Sequence, residues 1–344
     1  MTDGREGPVR VGLLGAGSVA QVAHLQAYRR LRSVELVALC DEDPTKRRAL
    51  RERGDAERVV ETIDDLLEIE SIDAVDVCLP SHLHHRSVLQ CLEAGRHVLC
   101  EKPLALDPAG VEEIVRAARE ADRAVLVGMN NRYRDDSIQL KELLEDEALG
   151  ELYHVRAGWL QRRERIRPDH WQYQKEKSGG GVTMDLGIHL LDLALWLTDY
   201  PGVERVSACF HRHMPEIEVE DTAIAQIRCR GGLSIALEAS WHYLLQSDRH
   251  YFEVHGTEGS GLLNPLRVHR RMHGGLVDAT PQGQRPTGNL YMESYEREIA
   301  FFAEVVAGRE EAPPLEEQLV LARALSALER SAETGREVSL DEAR

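Results

Sequence analysis

The chain has 344 residues, enough for about two domains that each bury a core without disulfides or metal ions. Hydrophobic residues make up 42% and charged residues 29%, which excludes collagen-like, disordered and disulfide-scaffold proteins. The net charge of −17, from 42 basic and 59 acidic residues, repels nucleic-acid phosphates and anionic bilayers, so neither nucleic acid nor a membrane is an expected partner.

The cysteines and the amino-terminal segment indicate a reducing compartment. No two of the six cysteines form a C-x-x-C pair, and most lie inside apolar runs, so we expect buried thiols rather than disulfides or a zinc site. The first residues lack the pattern of a signal peptide. The longest apolar stretch, residues 186–197, contains His189 and Asp192 and is too short to span a bilayer. A cytoplasmic protein is therefore expected.

Strands and helices alternate over the first 128 residues. The predicted strands lie at residues 9–14, 34–40, 59–60, 74–79, 97–100 and 124–128. The predicted helices lie at residues 18–32, 44–53, 63–67, 84–94 and 108–120. This alternation is typical of a doubly wound parallel sheet with helices on its faces.

The rhythm changes after residue 128. Alternating or β-branched runs follow closely at residues 152–160, 203–213, 222–230, 233–241 and 251–255. Short turns such as Gly231-Gly232 favour antiparallel pairing. Helices are predicted at residues 137–144, 183–197, 291–306 and 316–334, and the last ten residues are expected to be loosely held. The sequence thus predicts an α/β chain, with a parallel-sheet domain at 1–128 and an α+β domain with a large, mostly antiparallel open sheet at 129–344.

The first chemical motif is a G-x-G-x-x-A sequence between the first strand and the first helix. It consists of Gly15, Ala16, Gly17, Ser18, Val19 and Ala20. The glycines allow a tight turn and let backbone N–H groups approach a pyrophosphate, and the small Ala20 allows close packing of the helix on the strand.

Asp41 strengthens this interpretation. It stands 21 residues after Ala20, at the end of the next strand, where a carboxylate accepts hydrogen bonds from adenine-ribose hydroxyls. Glu42 and Asp43 follow, and no Arg or Ser stands where a 2′-phosphate would lie, so NAD is favoured over NADP. The alternative is that the glycines only make a turn and that Asp41 only caps the next helix.

Two further strand ends carry polar residues. The strongest predicted strand is followed by Leu79, Pro80, Ser81 and His84. These residues border the cofactor if ligands bind beyond the carboxyl ends of the strands. For His84, a purely structural role at the helix start is nearly as well supported. Glu101-Lys102-Pro103 follows the next strand, where Lys102 can polarise a substrate oxygen; the alternative is a solvated Lys102 paired with Glu101. His24 is expected to be a surface or packing residue.

Asp185 and His189 lie four residues apart in an otherwise apolar predicted helix that follows three glycines, Gly179–Gly181. Both side chains project from one face, and buried helices rarely contain unpaired polar groups. The glycines let a ligand or another backbone segment come close. A functional pair is favoured over a core Asp–His hydrogen bond and over a metal site completed by Asp192; we predict no metal.

The motifs in this order resemble the Gfo/Idh/MocA family, which includes glucose-fructose oxidoreductase and inositol dehydrogenase. The resemblance covers nearly the whole chain and rests on V-G-L-L-G-A-G, V-E-L-V-A-L-C-D-E-D-P, A-G-R-H-V-L-C-E-K-P-L-A, N-R-Y, S-G-G-G-V-T-M-D-L-G-I-H, V-E-D-T-A and H-G-T-E-G-S. E-K-P combined with D-x-x-x-H is its most specific part. The sequence departs from the family at residues 79–81, which read L-P-S instead of T-P-N, and near 316–318, which lack the usual Asp-Gly.

The resemblance implies a Rossmann domain that binds NAD, followed by a domain whose open sheet faces substrate and mediates assembly into a homodimer or homotetramer. It also implies that Lys102, Asp185 and His189 are catalytic. The substrate expected is a secondary hydroxyl of a sugar, cyclitol or sugar derivative, oxidised to a ketone or formed in reverse. Residues expected near the substrate are Asn131, Arg132, Tyr133, His170 and Trp171.

Two other functions stay open. Some relatives resemble glycosidases that use tightly held NAD for transient oxidation and elimination, and these release no net NADH. A non-catalytic NAD sensor on the same scaffold needs none of the three catalytic residues, so their presence together favours an enzyme.

Overall fold

The computed structural model of the protein describes residues 7–163, 166–281 and 288–340, and the chain divides into two compact units. The first unit contains the described residues up to Tyr133 together with Asn289–Leu319. The second contains the described residues of 134–288 and those from Val320 onward. The expected division into 1–128 and 129–344 therefore needs a correction, because one later segment belongs with the first unit.

The helices are short in the first third of the chain and longest near its end. In chain order they are α1 Leu25–Arg30, α2 Pro44–Arg53, α3 Ile63–Leu67, α4 His84–Glu93, α5 Pro108–Ala121, α6 Asp135–Glu145, α7 Lys175–Ser178, α8 Ile188–Leu197, α9 Leu290–Val306 and α10 Glu316–Thr334. Asp43 caps α2 and Asp107 caps α5. Both of these helices begin with a proline, whose missing N–H is no loss because the first N–H groups of a helix have no acceptor within it.

The first unit is built on a parallel sheet in the order β3-β2-β1-β4-β5-β6. Its six strands are β1 Val9–Leu14, β2 Val34–Cys40, β3 Arg58–Val60, β4 Ala74–Val77, β5 His97–Glu101 and β6 Val125–Gly128. The strand order reverses beside β1, and in such sheets ligands bind beyond the carboxyl ends of the strands at the point of reversal. The predicted doubly wound parallel sheet is confirmed.

The long helix predicted for residues 18–32 is interrupted. A π-helical turn occupies Ala20–His24, with the N–H of Leu25 bonded to the carbonyl oxygen of Ala20, and α1 begins only after it. The extra residue in this turn changes the direction in which the following side chains project. One consequence is that His24 is completely buried.

Helix α9 explains why Asn289–Leu319 belongs to the first unit. Its residues Ile299, Phe302 and Ala303 are fully buried in an apolar cluster with residues of β1, α1 and the neighbouring strands. The other buried members of this cluster are Val9, Val11, Ala27, Tyr28, Val34, Ala74, Leu99 and Leu126. Burial of apolar area against the sheet, rather than nearness in sequence, places this helix.

The second unit is built on a nine-stranded sheet in the order β14-β13-β12-β11-β7-β10-β9-β8-β15. Its strands are β7 Leu152–Leu160, β8 Val203–His211, β9 Thr222–Cys229, β10 Ser234–Ser240, β11 Arg249–Gly256, β12 Gly259–Leu263, β13 Arg267–Met272, β14 Gly275–Asp278 and β15 Val338–Ser339. Only β7 and β10 pair in parallel within the described part of this sheet, so the predicted mostly antiparallel sheet is confirmed.

Strands β12 to β15 were not expected from the sequence. Strand β12 is interrupted by glycines and β13 carries several arginines, so neither shows the apolar alternation of a strand. Strand β15 lies within the last ten residues, which were expected to be loosely held; instead Val338 and Ser339 pair with β8. Residues 341–344 lie outside the described residues.

Helix α8 is the central helix of the second unit. It is preceded by a second π-helical turn, Thr183–Gly187, so the helix predicted for 183–197 is also interrupted. The segment Lys175–Leu197 is long and apolar enough to cross a membrane by composition, but 83% of its most apolar window is buried within the protein. This burial is typical of a core helix.

The three glycines before α8 let two backbone segments touch. A Cβ atom at Gly181 would lie only 1.9 Å from the carbonyl oxygen of Glu220, and that oxygen accepts the N–H of Val182 at 3.0 Å. The Glu220 carboxylate also accepts the N–H groups of Gly181 and Thr183, at 2.9 and 3.1 Å. Of the two explanations for the glycines, approach of a ligand or of another backbone segment, the structure shows the second.

We expect Gly181→Ala to lower the free energy of unfolding of the second unit by at least about 2 kcal/mol, because the two segments must separate and their hydrogen bonds weaken. Gly187→Ala is the matched control: its Cβ would meet nothing closer than 3.5 Å in the described residues, so a change within about 1 kcal/mol is expected. All four tryptophans lie between residues 159 and 241, so fluorescence-detected urea unfolding reports on this unit. Equal stability of the two variants would contradict the expectation.

Candidate active site

The glycine turn lies at the carboxyl edge of the first sheet. Gly15 has a φ of +93°, and a Cβ atom there would lie 2.7 Å from the carbonyl oxygen of Cys78, so only glycine fits. At Gly17 the same oxygen is the nearest described atom, 3.7 Å from the Cβ position, which leaves room above the backbone. Ala16 and Ala20 are fully buried, whereas Ser18 is exposed and Val19 is half-buried. The turn fits the close approach of a pyrophosphate.

Asp41 is fixed beside this turn, at the end of β2. Its Oδ2 accepts the N–H of Ala16 at 2.8 Å, and its Oδ1 accepts the N–H of Asp43 at 2.9 Å. The ammonium of Lys46 lies 3.1 Å from Oδ2, and the guanidinium of Arg47 donates to the Asp41 carbonyl oxygen. The sequence interpretation found no Arg or Ser near this carboxylate; the structure brings two basic residues of α2 beside it.

The residues after β4 form a loop and a short 3₁₀ turn. Leu79 and Pro80 are half-buried, and Ser81 begins the turn Ser81–Leu83. The ring of His84 lies between two carbonyl oxygens, with Nδ1 2.7 Å from that of Pro103 and Nε2 2.7 Å from that of Leu79. Burial lowers the pKa of His84, and the two carbonyl oxygens offset this only in part. His84 therefore joins the β4 and β5 loops through its two ring nitrogens, and its expected contact with cofactor stays a prediction.

Lys102 begins the loop after β5, at the same edge of the sheet as Gly15 and Asp41. It is half-buried, and its backbone N–H lies 3.3 Å from Oε2 of Glu101. The peptide bond between Lys102 and Pro103 is cis. The Glu101 side chain is itself buried and also contacts His24, and its expected place beside the cofactor stays a prediction.

Asn131, Arg132 and Tyr133 lie in the short 3₁₀ turn that follows β6. Asn131 is buried, Arg132 forms an ion pair with Glu317 at 2.7 Å, and the Tyr133 ring lies 5.5 Å from that of Phe301. Arg132 is only 6% exposed. Arg132 thus forms an ion pair within the first unit, and its expected contact with substrate stays a prediction.

In the second unit, Asp185 occupies the π-helical turn before α8. Its Oδ2 accepts hydrogen bonds from the guanidinium of Arg163 at 2.5 Å and from the indole N–H of Trp241 at 3.1 Å. The Arg163 guanidinium also lies over the Trp241 ring, 4.3 Å from its centroid. The carboxylate is thus held in one orientation by a charged and a neutral donor.

His189 lies one turn further on, in α8, and is 8% exposed. Its ring centroid is 6.1 Å from that of Trp159, which in turn stacks on His250 at 4.4 Å. Burial, assisted by Arg134, lowers the pKa of His250 to about 4, so this ring is neutral near pH 7. The Trp159 ring and the neutral His250 ring therefore form an aromatic pair beside His189.

His170 and Trp171 lie in a 3₁₀ turn of the same unit. His170 accepts the N–H of Gln172 at 3.4 Å, and its ring lies 5.7 Å from Trp171 and 6.4 Å from Tyr173. Tyr173 packs edge-on against Trp241, the residue that binds Asp185. The turn with His170 and Trp171 is thereby connected to the Asp185 region.

Four residues of this region were missed by sequence reasoning. They are Trp159, Arg163, Trp241 and His250. Trp159 had a weak signal, since it ends a run of alternating residues, but nothing local indicates that Arg163 and Trp241 meet Asp185 from strand ends far along the chain. The metal alternative with Asp192 is not supported: Asp192 accepts a hydrogen bond from Tyr200 at 3.1 Å, and the three residues do not form a ligand cluster in the described residues.

Comparisons with known proteins agree with this architecture. Residues 9–129 match the oxidoreductase family with an NAD-binding Rossmann fold, and residues 137–261 match the GFO/IDH/MocA C-terminal domain. The chain is 29% identical to D-glucoside 3-dehydrogenase of Escherichia coli K12, over 97% of this chain and 98% of that one. It is 26% identical to myo-inositol 2-dehydrogenase of Thermotoga maritima, over 97% and 99%.

Among solved structures, GenD2 from gentamicin A biosynthesis, in complex with NAD, is 25% identical with a TM-score of 0.84, and the match covers 97% of each chain. The two matched regions contain all six strands of the first sheet and the central strands of the second. The chain therefore belongs to the Gfo/Idh/MocA family, as an NAD-dependent oxidoreductase that acts on CH–OH groups.

Proposed function

We propose that the enzyme oxidises a secondary hydroxyl of a sugar, glycoside or cyclitol to a ketone, or catalyses the reverse reaction. The observation that carries this proposal is the group around Asp185 in the second unit, where an oriented carboxylate lies near the Trp159–His250 stack. Aromatic rings pack on the apolar faces of a sugar ring, and a carboxylate accepts its hydroxyl groups. A hydroxyl-rich ring fits both.

NAD supplies the acceptor or donor of hydride when bound. We propose that His189 takes the proton of the reacting hydroxyl as general base and that Lys102 polarises the same oxygen. Asp185 accepts a neighbouring hydroxyl and thereby orients the sugar ring. The neutral His250 ring adds no positive charge beside the Trp159 ring that lies next to His189.

The relatives suggest where a substrate screen begins. Alkyl glucosides and myo-inositol come first, because similar chains are named D-glucoside 3-dehydrogenase and myo-inositol 2-dehydrogenase. The near-ultraviolet band of NADH measures net oxidation with NAD or NADP. Release of free sugar from a glycoside without net NADH would instead support the glycosidase alternative, and binding of NAD with no turnover of any sugar would support the sensor.

We expect NAD to bind more tightly than NADP, because the Asp41 carboxylate repels a 2′-phosphate. Asp41→Ser removes this repulsion and releases the Lys46 ammonium, so the NADP-to-NAD ratio of dissociation constants should fall about ten-fold or more. Calorimetric titration measures both constants. Glu35→Ser, an equal charge change at the exposed start of β2, should leave the ratio unchanged. Equal binding of both dinucleotides by the unmodified enzyme would contradict the expectation.

We expect His189→Ala and Lys102→Ala each to lower the rate of the chemical step by about 10²- to 10⁴-fold, the usual effect of removing an acid–base group. NAD affinity should change little. Because both groups act on one oxygen, the double variant should lose much less than the product of the single losses. Single-turnover kinetics measures the step. Near-normal rates in both folded single variants would show that the two roles are wrongly assigned.

We further propose a cytoplasmic homodimer or homotetramer associated through the open face of the nine-stranded sheet. This face carries the half-exposed Tyr153 and Ile224, at 52% and 50% exposure. Light scattering should give a mass of at least twice 38.7 kDa, and Ile224→Glu should reduce it. Leu276→Glu, a control at the exposed edge strand β14, should not. A stable monomer at micromolar concentration would contradict this proposal.

A further inference from the structure

A buried cluster of ionisable side chains lies in the first unit, directly behind Glu101. The ring of His24 is its centre: Nδ1 lies 2.7 Å from Oδ2 of Asp76, and Nε2 lies 3.0 Å from Oε1 of Glu101. His24 and Asp76 are fully buried and Glu101 is 6% exposed. None of these contacts is used in the chemistry proposed above.

The geometry determines the charge of His24. A neutral imidazole carries one N–H, whereas here each ring nitrogen faces a carboxylate oxygen, and only the doubly protonated ring donates to both. Burial by itself lowers the pKa of His24, but Asp76 and Cys78 together outweigh it, and the pKa is raised well above its usual value. Asp76 also accepts the Tyr28 hydroxyl at 2.8 Å and the Cys78 thiol at 3.5 Å.

Glu101 connects the His24 ring to the loop that carries Lys102. While Oε1 faces His24, Oε2 faces the backbone N–H of Lys102 at 3.3 Å. The space beside the carboxyl group is closed by Gly128 of the paired strand β6, where even a Cβ atom would lie 3.3 Å from Cδ of Glu101. The carboxyl group is therefore confined on three sides.

We infer that His24 is a positioning residue for Lys102: its cationic ring orients Glu101, which holds the backbone N–H at the start of the lysine loop. This inference rests on the proposed role of Lys102 in hydride-transfer chemistry. A misplacement of about 1 Å can lower a rate about 10²-fold, so a rigid support behind a catalytic lysine has a measurable effect.

The other groups that face the cluster do not neutralise it. Glu298 of α9 is fully buried, and burial together with the neighbouring Glu101 raises its pKa well above the usual value, whereas His24 and Arg132 lower it. The Tyr295 ring lies 5.3 Å from the His24 ring. A raised pKa disfavours a further negative charge at Glu298, so the contacts of His24 with Asp76 and Glu101 remain the main ones in the cluster.

Metal binding is the competing explanation of the cluster. A nitrogen of His24, an oxygen of Asp76 and the sulfur of Cys78 lie within 4.8 Å of one another. A metal ligand thiol must be ionised, but burial raises the pKa of Cys78 and its thiol donates to Asp76. Hydrogen bonds therefore account for the cluster. Stoichiometric zinc or another transition metal in the purified enzyme, lost together with activity on chelation, would overturn the inference.

Kinetics of His24→Gln, Glu101→Gln and the control Tyr28→Phe test the positioning role. We expect each of the first two to lower kcat about 10- to 100-fold, with the NAD dissociation constant changed less than about three-fold. Their double variant should be no slower than the slower single variant. Tyr28→Phe removes the hydrogen bond that the Tyr28 hydroxyl donates to the Asp76 carboxylate, which is buried in the same cluster. The urea midpoint should therefore fall while kcat is kept. An equal loss of kcat in this control, or normal kcat in both test variants, overturns the inference.

Ring-nitrogen NMR tests the charge directly, with the His24 signals assigned by their absence in His24→Gln. Near pH 7 both nitrogens should carry protons; a neutral ring overturns the inference. Because the folded-state pKa of His24 is raised, its stabilising contribution is complete below the unfolded value of about 6.5 and is lost as the pH rises through the folded value. The urea midpoint of the unmodified protein should therefore fall more steeply at alkaline pH than that of His24→Gln; equal slopes overturn the inference.

These measurements separate the two proposals. Absence of hydride transfer from every sugar tested, with a cationic His24 ring and a steeper alkaline loss of stability, contradicts the proposed function while the charge of His24 stands. A neutral ring in an active enzyme contradicts the present inference alone.

Discussion

The Gly15 turn passes against the carbonyl oxygen of Cys78, and the carboxyl edge of the first sheet depends on this close contact. The N–H of Gly15 also donates to the carbonyl oxygen of Cys40, so the ends of β1, β2 and β4 meet at one point. Asp41 extends β2 and is bonded to the same turn. A side chain at Gly15 would push these strand ends apart and separate the glycine turn from Asp41.

Local and periodic features of this fold were predictable from the sequence. The alternation of strands and helices, the glycine turn and the position of Asp41 each depend on residues close in sequence, and the parallel and antiparallel sheets followed from them. The partners of the functional side chains were not predictable. Arg163 and Trp241 reach Asp185 from separate strand ends, whereas Lys46 reaches Asp41 from the first turn of α2. Such contacts depend on the three-dimensional arrangement, which hydrophobic periodicity does not encode.

Two π-helical turns show most clearly what hydrophobic periodicity does not predict. The sequence pattern over residues 18–32 and 183–197 fits ordinary helices, yet Ala20–His24 and Thr183–Gly187 each contain a wider turn. The first ends on His24 and the second contains Asp185 and leads into His189. Such turns occur often at functional sites, because they redirect one side chain without ending the helix. His24 was expected to be a surface or packing residue, and its two carboxylate partners were invisible because they lie on β4 and β5.

The edges of the nine-stranded sheet bear on how the protein avoids aggregation. At one edge β15 has two residues and at the other β14 has four, so the described sheet ends on both sides in short strands. An edge strand is a template on which another chain can add a strand, and a short strand offers few unpaired backbone groups for this. The exposed Leu276 and Val277 on β14 are followed by the charged Asp278. Open-ended growth into fibrils by edge-to-edge pairing is thereby disfavoured in a protein with so broad a sheet.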